Sequence, residues 1–383
     1  MSPLLMKEGP GEVSNGETAM KSPADTRLTA RPPRNSYRIF VVLALLFAVF
    51  LALNIGTSEA GVSTTLPVGV ALRVLARHVP FAGSHIATVP AYLDNIVWNA
   101  RLPRALGAAL IGMLLALAGV AFQSFLQNPL ADPYMVGVSS GSALGSVSVI
   151  LLAGGGAAGF AGGLMQTGAA FAAGLLATGF VYLLARQNGR LSAQTFLLAG
   201  IVVGTFLWSL IPFALSIANR SGGIDRQSAI LTQLLGNLEG MTWSKVFLLT
   251  PFAIVGSLTL LLSARELNLM TLGEESAAQL GLNTERFKIR VILAGALATA
   301  AAVSVAGIVA FVGLVVPHIA RRLVGPDHRA LLPCSVVLGS LVLTAADWLS
   351  RVYLGGLEIG VVTSLLGAPV FCYLLRRRLT ARN

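Results

Sequence analysis

Long apolar segments free of charged side chains restrict what this chain can fold into more than any other feature of its sequence. Residues 39–55 and 246–262 are two examples. About 20 apolar residues in a helix span the hydrocarbon layer of a bilayer, and a helix satisfies its own backbone hydrogen bonds there. Charged residues make up only 11% of the chain, against about 25% in a typical soluble domain. We therefore predict a helical membrane protein.

The apolar segments lack the pattern of a transmembrane β-barrel, which alternates apolar and polar residues over segments of about 10 residues. The predicted fold class is all-α, a polytopic membrane protein with about ten transmembrane helices. We place the spans at residues 38–55, 104–126, 136–153, 163–185, 193–217, 244–263, 289–308, 311–323, 331–352 and 359–375. The eighth span is short, and Gly313 and Pro317 are expected to bend it.

Residues 1–36 differ in composition from the rest of the chain. They are rich in Pro, Gly, Ser, Glu and Lys and show no apolar period, which is typical of a disordered segment. We therefore divide the chain into a disordered cytoplasmic tail (1–36) and one membrane domain (37–383). A cleaved signal peptide is not expected, because no small-residue cleavage pattern follows the first apolar segment.

The net charge of +11 comes from basic residues that cluster at the ends of the apolar segments. Such clusters determine membrane topology, so they favour an even number of spans with both termini in the cytoplasm and argue against a nucleic-acid partner. The cysteines, Cys334 and Cys372, lack metal-ligand spacing. His318 and His328 have no third ligand nearby in the sequence, so we predict neither a metal site nor a cofactor.

A tight polar turn is predicted after the second span. Asn128-Pro129 and Asp132-Pro133 break the helix there, and Gly137-Val-Ser-Ser-Gly141 begins the next one. This pattern fits either a well-formed turn or a gate at the cytoplasmic mouth of a pore.

Small residues recur every three or four positions within the second span, at Ala108, Gly112, Ala116 and Gly119. Small residues allow membrane helices to approach each other closely. We interpret this face as a packing surface in preference to a substrate path.

Residues 267–281 form an amphipathic stretch on the predicted cytoplasmic side. Gly273 predicts a hinge, Glu274 and Glu275 favour the first turn of a helix, and Gly281 favours its end. The stretch fits an ordinary interfacial helix. It also fits a helix pair that docks in a cleft of a partner and passes rigid-body motion to the spans.

Two charged residues, Asp347 and Arg351, lie four positions apart within the ninth span and therefore on one helical face. Charges at membrane depth are costly and are usually paired. We predict an ion pair between them near the outer boundary of the membrane.

Seven motifs occur in an order that resembles the iron-chelate and cobalamin permease family, the membrane subunits of type II ABC importers. They are Arg101-Leu-Pro-Arg104, Asn128-Pro-Leu-Ala-Asp132, Gly137-Val-Ser-Ser-Gly141, Leu272-Gly-Glu-Glu275, Gly313-Leu-Val-Val-Pro-His318, Asp327-His-Arg329 and Gly360-Val-Val-Thr-Ser-Leu-Leu-Gly-Ala-Pro-Val-Phe371. The similarity extends over residues 38–378. It implies a homodimer of ten-helix subunits in the bacterial cytoplasmic (inner) membrane.

The resemblance also implies partners: two cytoplasmic ATP-binding subunits, a periplasmic or lipid-anchored substrate-binding protein, a second copy of the chain, and membrane lipid. The residues that it implies in docking the binding protein are Arg101, Arg104 and Arg351. Those that it implies in a cytoplasmic gate, called the gate residues below, are Asn128, Leu130, Ser192 and Gln194.

Coupling to the ATPase is implied for residues 267–282, which we call the coupling segment. Its named residues are Leu267, Leu272, Gly273, Glu274, Glu275, Ala277, Ala278, Leu280 and Gly281. The sequence departs from the family at Gly356-Leu-Glu358, where Glu-Leu-Pro is usual before Gly360. A family role for Glu358 therefore does not follow.

The expected function is ATP-driven import of an iron complex, a siderophore or haem, with cobalamin as the alternative substrate. The chain lacks the Gly-x-x-x-x-Gly-Lys-Ser/Thr loop of ATPases, so we expect ATP hydrolysis in a partner and no enzymatic activity here. An ion-coupled secondary transporter would normally need acidic residues at the membrane midplane. A membrane-embedded enzyme would call for clustered His, Asp or Glu at that depth. Neither pattern is evident in the sequence.

Overall fold

The structure is a computed structural model that describes residues 36–57, 68–78, 89–153, 160–221 and 223–380. The predicted tail lies outside these ranges, except for Ser36, which begins the first helix. The helices are α1 (Ser36–Gly56), α2 (Val68–Arg77), α3 (Ala91–Asp94), α4 (Leu102–Phe125), α5 (Val138–Ala153), α6 (Phe160–Ala185), α7 (Ala193–Ser221), α8 (Gly223–Leu235), α9 (Trp243–Leu262), α10 (Ala264–Met270), α11 (Glu274–Gln279), α12 (Thr284–Ala306), α13 (Val312–Val324), α14 (His328–Tyr353) and α15 (Ile359–Thr380). A π-helical stretch (Asn95–Arg101) joins α3 to α4, and a 3₁₀ turn (Pro133–Val136) precedes α5.

The predicted all-α membrane fold is confirmed. Each of the ten predicted spans coincides with one helix: α1, α4, α5, α6, α7, α9, α12, α13, α14 and α15. Among the described residues, seven helices are long and apolar enough to cross a bilayer. The eighth predicted span, α13, has only 13 residues, a length of about 20 Å at 1.5 Å per residue.

A two-stranded hairpin between α6 and α7 is an element that the sequence analysis did not predict. Its strands, β1 (Arg186–Gln187) and β2 (Arg190–Leu191), pair antiparallel. The two residues between them, Asn188 and Gly189, have φ angles of 50° and 77°. An Asn-Gly pair with both φ angles positive is the favoured connection of a two-residue hairpin, because its twist matches that of the strands.

Helix α4 lies at the centre of the bundle and packs against α9, α12, α13 and α14. The small-residue face makes the closest of these contacts. A Cβ atom added to Gly112 would overlap the carbonyl oxygen of Gly339 in α14, and one added to Gly119 would overlap that of Gly313 in α13. Ala108 and Ala116 are fully buried on the same face. The packing interpretation of this face is therefore confirmed.

The two ends of α4 define two ends of the bundle. Arg104 lies in its first turn, close to the C-terminal end of α14, and we call this side the arginine end. The C-terminal end of α4 contacts α10, whose last four residues begin the coupling segment. With 24 residues, α4 separates the two ends by about 36 Å.

Candidate functional site

An ion-pair cluster occupies the arginine end. Asp347 in α14 is 1% exposed, and its two carboxylate oxygens bind different arginines. The Nε atom of Arg351 lies 3.1 Å from Asp347 Oδ2, and the Nε atom of Arg104 lies 2.9 Å from Asp347 Oδ1. The predicted pair of Asp347 and Arg351 is confirmed. The structure adds Arg104, which belongs to another helix and was predicted only as a docking residue.

Arg351 faces into the protein. It is 3% exposed, and its Nη2 atom donates to the backbone oxygen of Asn54 in α1 at 3.2 Å and to the side-chain oxygen of that residue. The Asn54 amide in turn donates to the backbone oxygen of Thr344 at 2.9 Å. In this conformation Arg351 joins α1 to α14 and presents no exposed guanidinium to a docking partner.

Arg101 is the docking candidate that lies nearest to the end of the bundle, in the π-helical stretch before α4. Its side chain is partly exposed, and its Nη1 atom donates to the backbone oxygen of Ile55 at 3.0 Å. Arg104 is 13% exposed and pairs with Asp347. The docking role of the three arginines stays a prediction.

The turn that holds Asn128 and Leu130 is built by side chains that accept backbone hydrogen bonds. The Leu130 N–H donates to Asn128 Oδ1 at 3.0 Å, and the Tyr134 N–H donates to Asp132 Oδ1 at 2.9 Å. Burial raises the pKa of the Asp132 carboxyl to about 6, while the hydrogen bond from Tyr134 opposes this rise. Both prolines therefore stand in a tight turn, as predicted.

A tyrosine ties this turn to the break between α12 and α13. The Tyr134 hydroxyl donates to the backbone oxygen of Val309 at 2.6 Å and accepts from the Val309 N–H at 3.0 Å. The break begins at Gly307, with a φ of 71°, and ends at Phe311, with a φ of 66°. Backbone that leaves a helix within a membrane protein needs partners for its polar groups. The Tyr134 hydroxyl is the hydrogen-bond partner of both the N–H and the carbonyl of Val309.

The other two gate residues, Ser192 and Gln194, are exposed at the start of α7. They line a cleft of about 770 Å³ whose walls also include Glu274 and Lys288. The second half of the predicted gate therefore lies beside the coupling segment, although about 80 residues separate the two in sequence.

The coupling segment has the local geometry that its sequence predicts. Gly273 has a φ of 100° and precedes α11, which begins with Glu274 and Glu275, and Gly281 follows α11 with a φ of 88°. Leu267 and Ala277 are fully buried against the bundle, while Leu280 is 57% exposed. The segment thus presents one face to the membrane domain and another to solvent. Its coupling role remains a prediction.

A buried histidine links the coupling segment to α4 and α14. His328 Nδ1 lies 2.7 Å from Asn268 Oδ1, and His328 Nε2 lies 2.6 Å from Ser124 Oγ. Asn268 also donates to Asp327 Oδ1 at 2.7 Å. Gln127, next to the gate residue Asn128, donates to the Met270 carbonyl at 3.0 Å.

A buried lysine, Lys288, forms a second link. Its Nζ atom donates to Glu274 Oε1 at 2.5 Å and to the Leu191 carbonyl at 2.7 Å. Lys288 is one of the basic residues that cluster at the ends of the apolar segments, and nothing local in the sequence distinguishes it from its neighbours. Among the described residues, no group of three or more His, Cys, Asp or Glu side chains could hold a metal ion.

This arrangement joins a helical membrane domain to a short helix pair that packs against one end of it. A solved metal-chelate type ABC transporter in an inward-facing conformation has the same fold, with a TM-score of 0.74 and 25% identity over 89% of this chain and 99% of that one. The class of protein is thus the permease subunit of an ABC importer. The chain belongs to the FecCD transport family, which matches residues 44–377. The predicted family resemblance is confirmed.

The sequence is similar to two curated relatives over most of its length. An uncharacterised ABC transporter permease of Bacillus subtilis, YvrB, is 39% identical over 363 residues, which are 93% of this chain and 97% of that protein. The cobalamin import permease BtuC of Halobacterium salinarum is 42% identical over 295 residues, or 76% of each chain.

Proposed function

We propose that this chain is the permease subunit of an ATP-driven importer that carries a corrinoid such as cobalamin across the bacterial cytoplasmic membrane. The similarity to a cobalamin import permease supports this substrate. An iron complex, the substrate expected from the sequence, becomes the second candidate, because a solved metal-chelate type transporter has the same fold.

The arrangement of the two ends of α4 is the observation that carries this proposal. The arginine end holds Arg101 and Arg104, and the coupling segment lies about 36 Å away at the other end. A transporter needs such a separation, because cargo is delivered on one side of the membrane and ATP is hydrolysed on the other. In the proposed orientation the arginine end faces outward, and the coupling segment and both chain termini are cytoplasmic.

The proposed assembly contains two copies of this chain, two ATP-binding subunits and a periplasmic or lipid-anchored binding protein. Closure of the ATP-binding subunits would push on the exposed face of the coupling segment. Its polar contacts lead to residues adjacent to both halves of the gate, namely Gln127 and Leu191. Movement of the segment would therefore reach the residues that adjoin the gate residues in sequence.

Transport by the reconstituted assembly tests the proposal. Together with its ATP-binding subunit and binding protein, the chain should accumulate radiolabelled cyanocobalamin in proteoliposomes only with ATP. A ferric siderophore and haem, assayed in parallel, test the second candidate. Glu274→Arg with Glu275→Arg should abolish uptake, because it reverses the charge of the first turn of α11 and places an arginine against Lys288. Uptake driven by an ion gradient without ATP would refute the proposal.

Docking of the binding protein is tested by charge reversal at Arg101. We expect Arg101→Glu to weaken the affinity by about tenfold or more, since an arginine–carboxylate pair across an interface would become a repulsive one. Surface plasmon resonance with the permease in nanodiscs measures this. Lys245→Glu, in the first turn of α9, is the control for a general change in charge. Equal affinities of the Arg101→Glu variant and the unmodified protein would remove Arg101 from the docking surface.

A further inference from the structure

A lysine that is only 2% exposed lies where the coupling segment, the 186–191 hairpin and α12 meet. The Nζ atom of Lys288 donates to Glu274 Oε1 at 2.5 Å, to the Leu191 carbonyl at 2.7 Å and to Glu285 Oε1 at 2.9 Å. An ammonium group has three donors and no acceptor. All three donors of Lys288 are therefore used, one on each of the elements that it joins.

The peptide groups of Leu191 are held from both sides. Its carbonyl accepts from Lys288, and its N–H donates to Glu285 Oε2 at 3.1 Å. Leu191 ends the hairpin, is 2% exposed, and directly precedes the gate residue Ser192. A displacement of Leu191 must therefore move the first turn of α7, which carries Gln194.

We propose that Lys288 is the positioning residue that transmits movement of the coupling segment to the Ser192–Gln194 half of the gate. A buried ammonium cannot exchange its acceptors for water at low cost, so it keeps Glu274 and the Leu191 carbonyl together when α11 moves. That ATP-driven closure moves the coupling segment rests on the proposed function. The link between the segment and Leu191 rests on the three contacts of Lys288.

Other polar contacts in and beside the coupling segment lead elsewhere. Asn268 reaches His328 and Asp327 in and before α14, and Met270 accepts from Gln127 after α4. Glu266, just before the segment, pairs with Arg290 in α12 at 2.6 Å. These contacts connect the segment to the α4 turn and to the bundle. The Lys288 contacts instead lead to the start of α7, so the two halves of the gate have separate links.

Substitution of Lys288 by methionine tests the proposal, since methionine keeps an unbranched side chain and removes the charge. Single cysteines at Gln194 and Gln279, in a protein without Cys334 and Cys372, carry spin labels that report on the gate and on α11. Vanadate-trapped ATP should change both labels in the otherwise unmodified assembly. In Lys288→Met the Gln279 label should still respond and the Gln194 label should not. Transport per ATP hydrolysed should fall by about 2- to 30-fold, the range that coupling residues span.

Lys245→Met is the matched control, because it makes the same change in the first turn of α9, and both labels should respond in it as before. Glu274→Ala provides a second variant should Lys288→Met not fold, since Glu274 is half-exposed and alanine removes the acceptor that joins Lys288 to the coupling segment, so the Gln194 label should again not respond. A full response of the Gln194 label in either variant would overturn the proposal. A lack of response of both labels in the unmodified assembly would instead refute the proposed function.

Discussion

Substitution of Asp347 by asparagine is expected to lower the free energy of unfolding by about 3–5 kcal/mol, the usual effect of removing one partner from a buried ion pair. Asp347 is 1% exposed and binds two arginines, at 2.9 Å and 3.1 Å. The neutral amide would remove the negative charge that Arg104 and Arg351 both bind. Thermal unfolding in detergent, followed by the loss of monodisperse protein, measures the effect.

Asp94→Asn is the matched control for this substitution. Asp94 lies on the same side of the bundle, but its partner His78 is 3.7 Å away and both side chains are more than one quarter exposed. A partly exposed pair contributes about 0–1 kcal/mol, so the melting temperature should change little. Equal shifts for the two variants would show that the Asp347 cluster contributes no more than a surface pair.

Substitution of Gly119 by alanine is expected to disrupt the centre of the bundle. The added Cβ atom would overlap the Gly313 carbonyl oxygen, so α4 and α13 would have to separate. Overpacking of this kind typically costs about 1–3 kcal/mol. Because Tyr134 ties the turn after α4 to Val309, just before α13, we also expect transport to fall. Melting temperature and uptake, measured together, test both parts.

Gly168→Ala and Gly179→Ala are the controls for this prediction. Both glycines lie in α6, and a Cβ atom added to either would meet nothing within 4 Å. Alanine has the higher helix propensity, so both variants should be as stable as the unmodified protein or slightly more so. If Gly119→Ala matched them in melting temperature and uptake, the contact with α13 would be looser than the structure shows.

The Asp347 cluster changes how the predicted docking arginines can be tested. A charge reversal at Arg351 would place two carboxylates side by side in a buried site. It would therefore perturb the fold whether or not the binding protein touches Arg351. Arg101 is partly exposed and donates to the backbone oxygen of Ile55, so its substitution is a less disruptive test of docking than that of Arg351.

Local sequence patterns determined the helices and several contacts within them. The length of each apolar segment predicts a span, because the bilayer has a fixed thickness and every backbone group in it must be satisfied within the helix. The spacing of Asp347 and Arg351 predicts their ion pair, since residues four apart share a helical face. The glycines at 273 and 281 predict the bounds of α11, because each takes a positive φ.

Tertiary structure alone decided the contacts between residues that are distant in sequence. Asp347 is 243 positions from Arg104, the second arginine that it binds. The Leu191 carbonyl, 97 positions from Lys288, accepts from its ammonium group. Such pairs depend on how the helices pack, and a single sequence carries no local period that reports it. The sequence by itself therefore determined which segments enter the membrane, and packing determined which charges and small residues meet there.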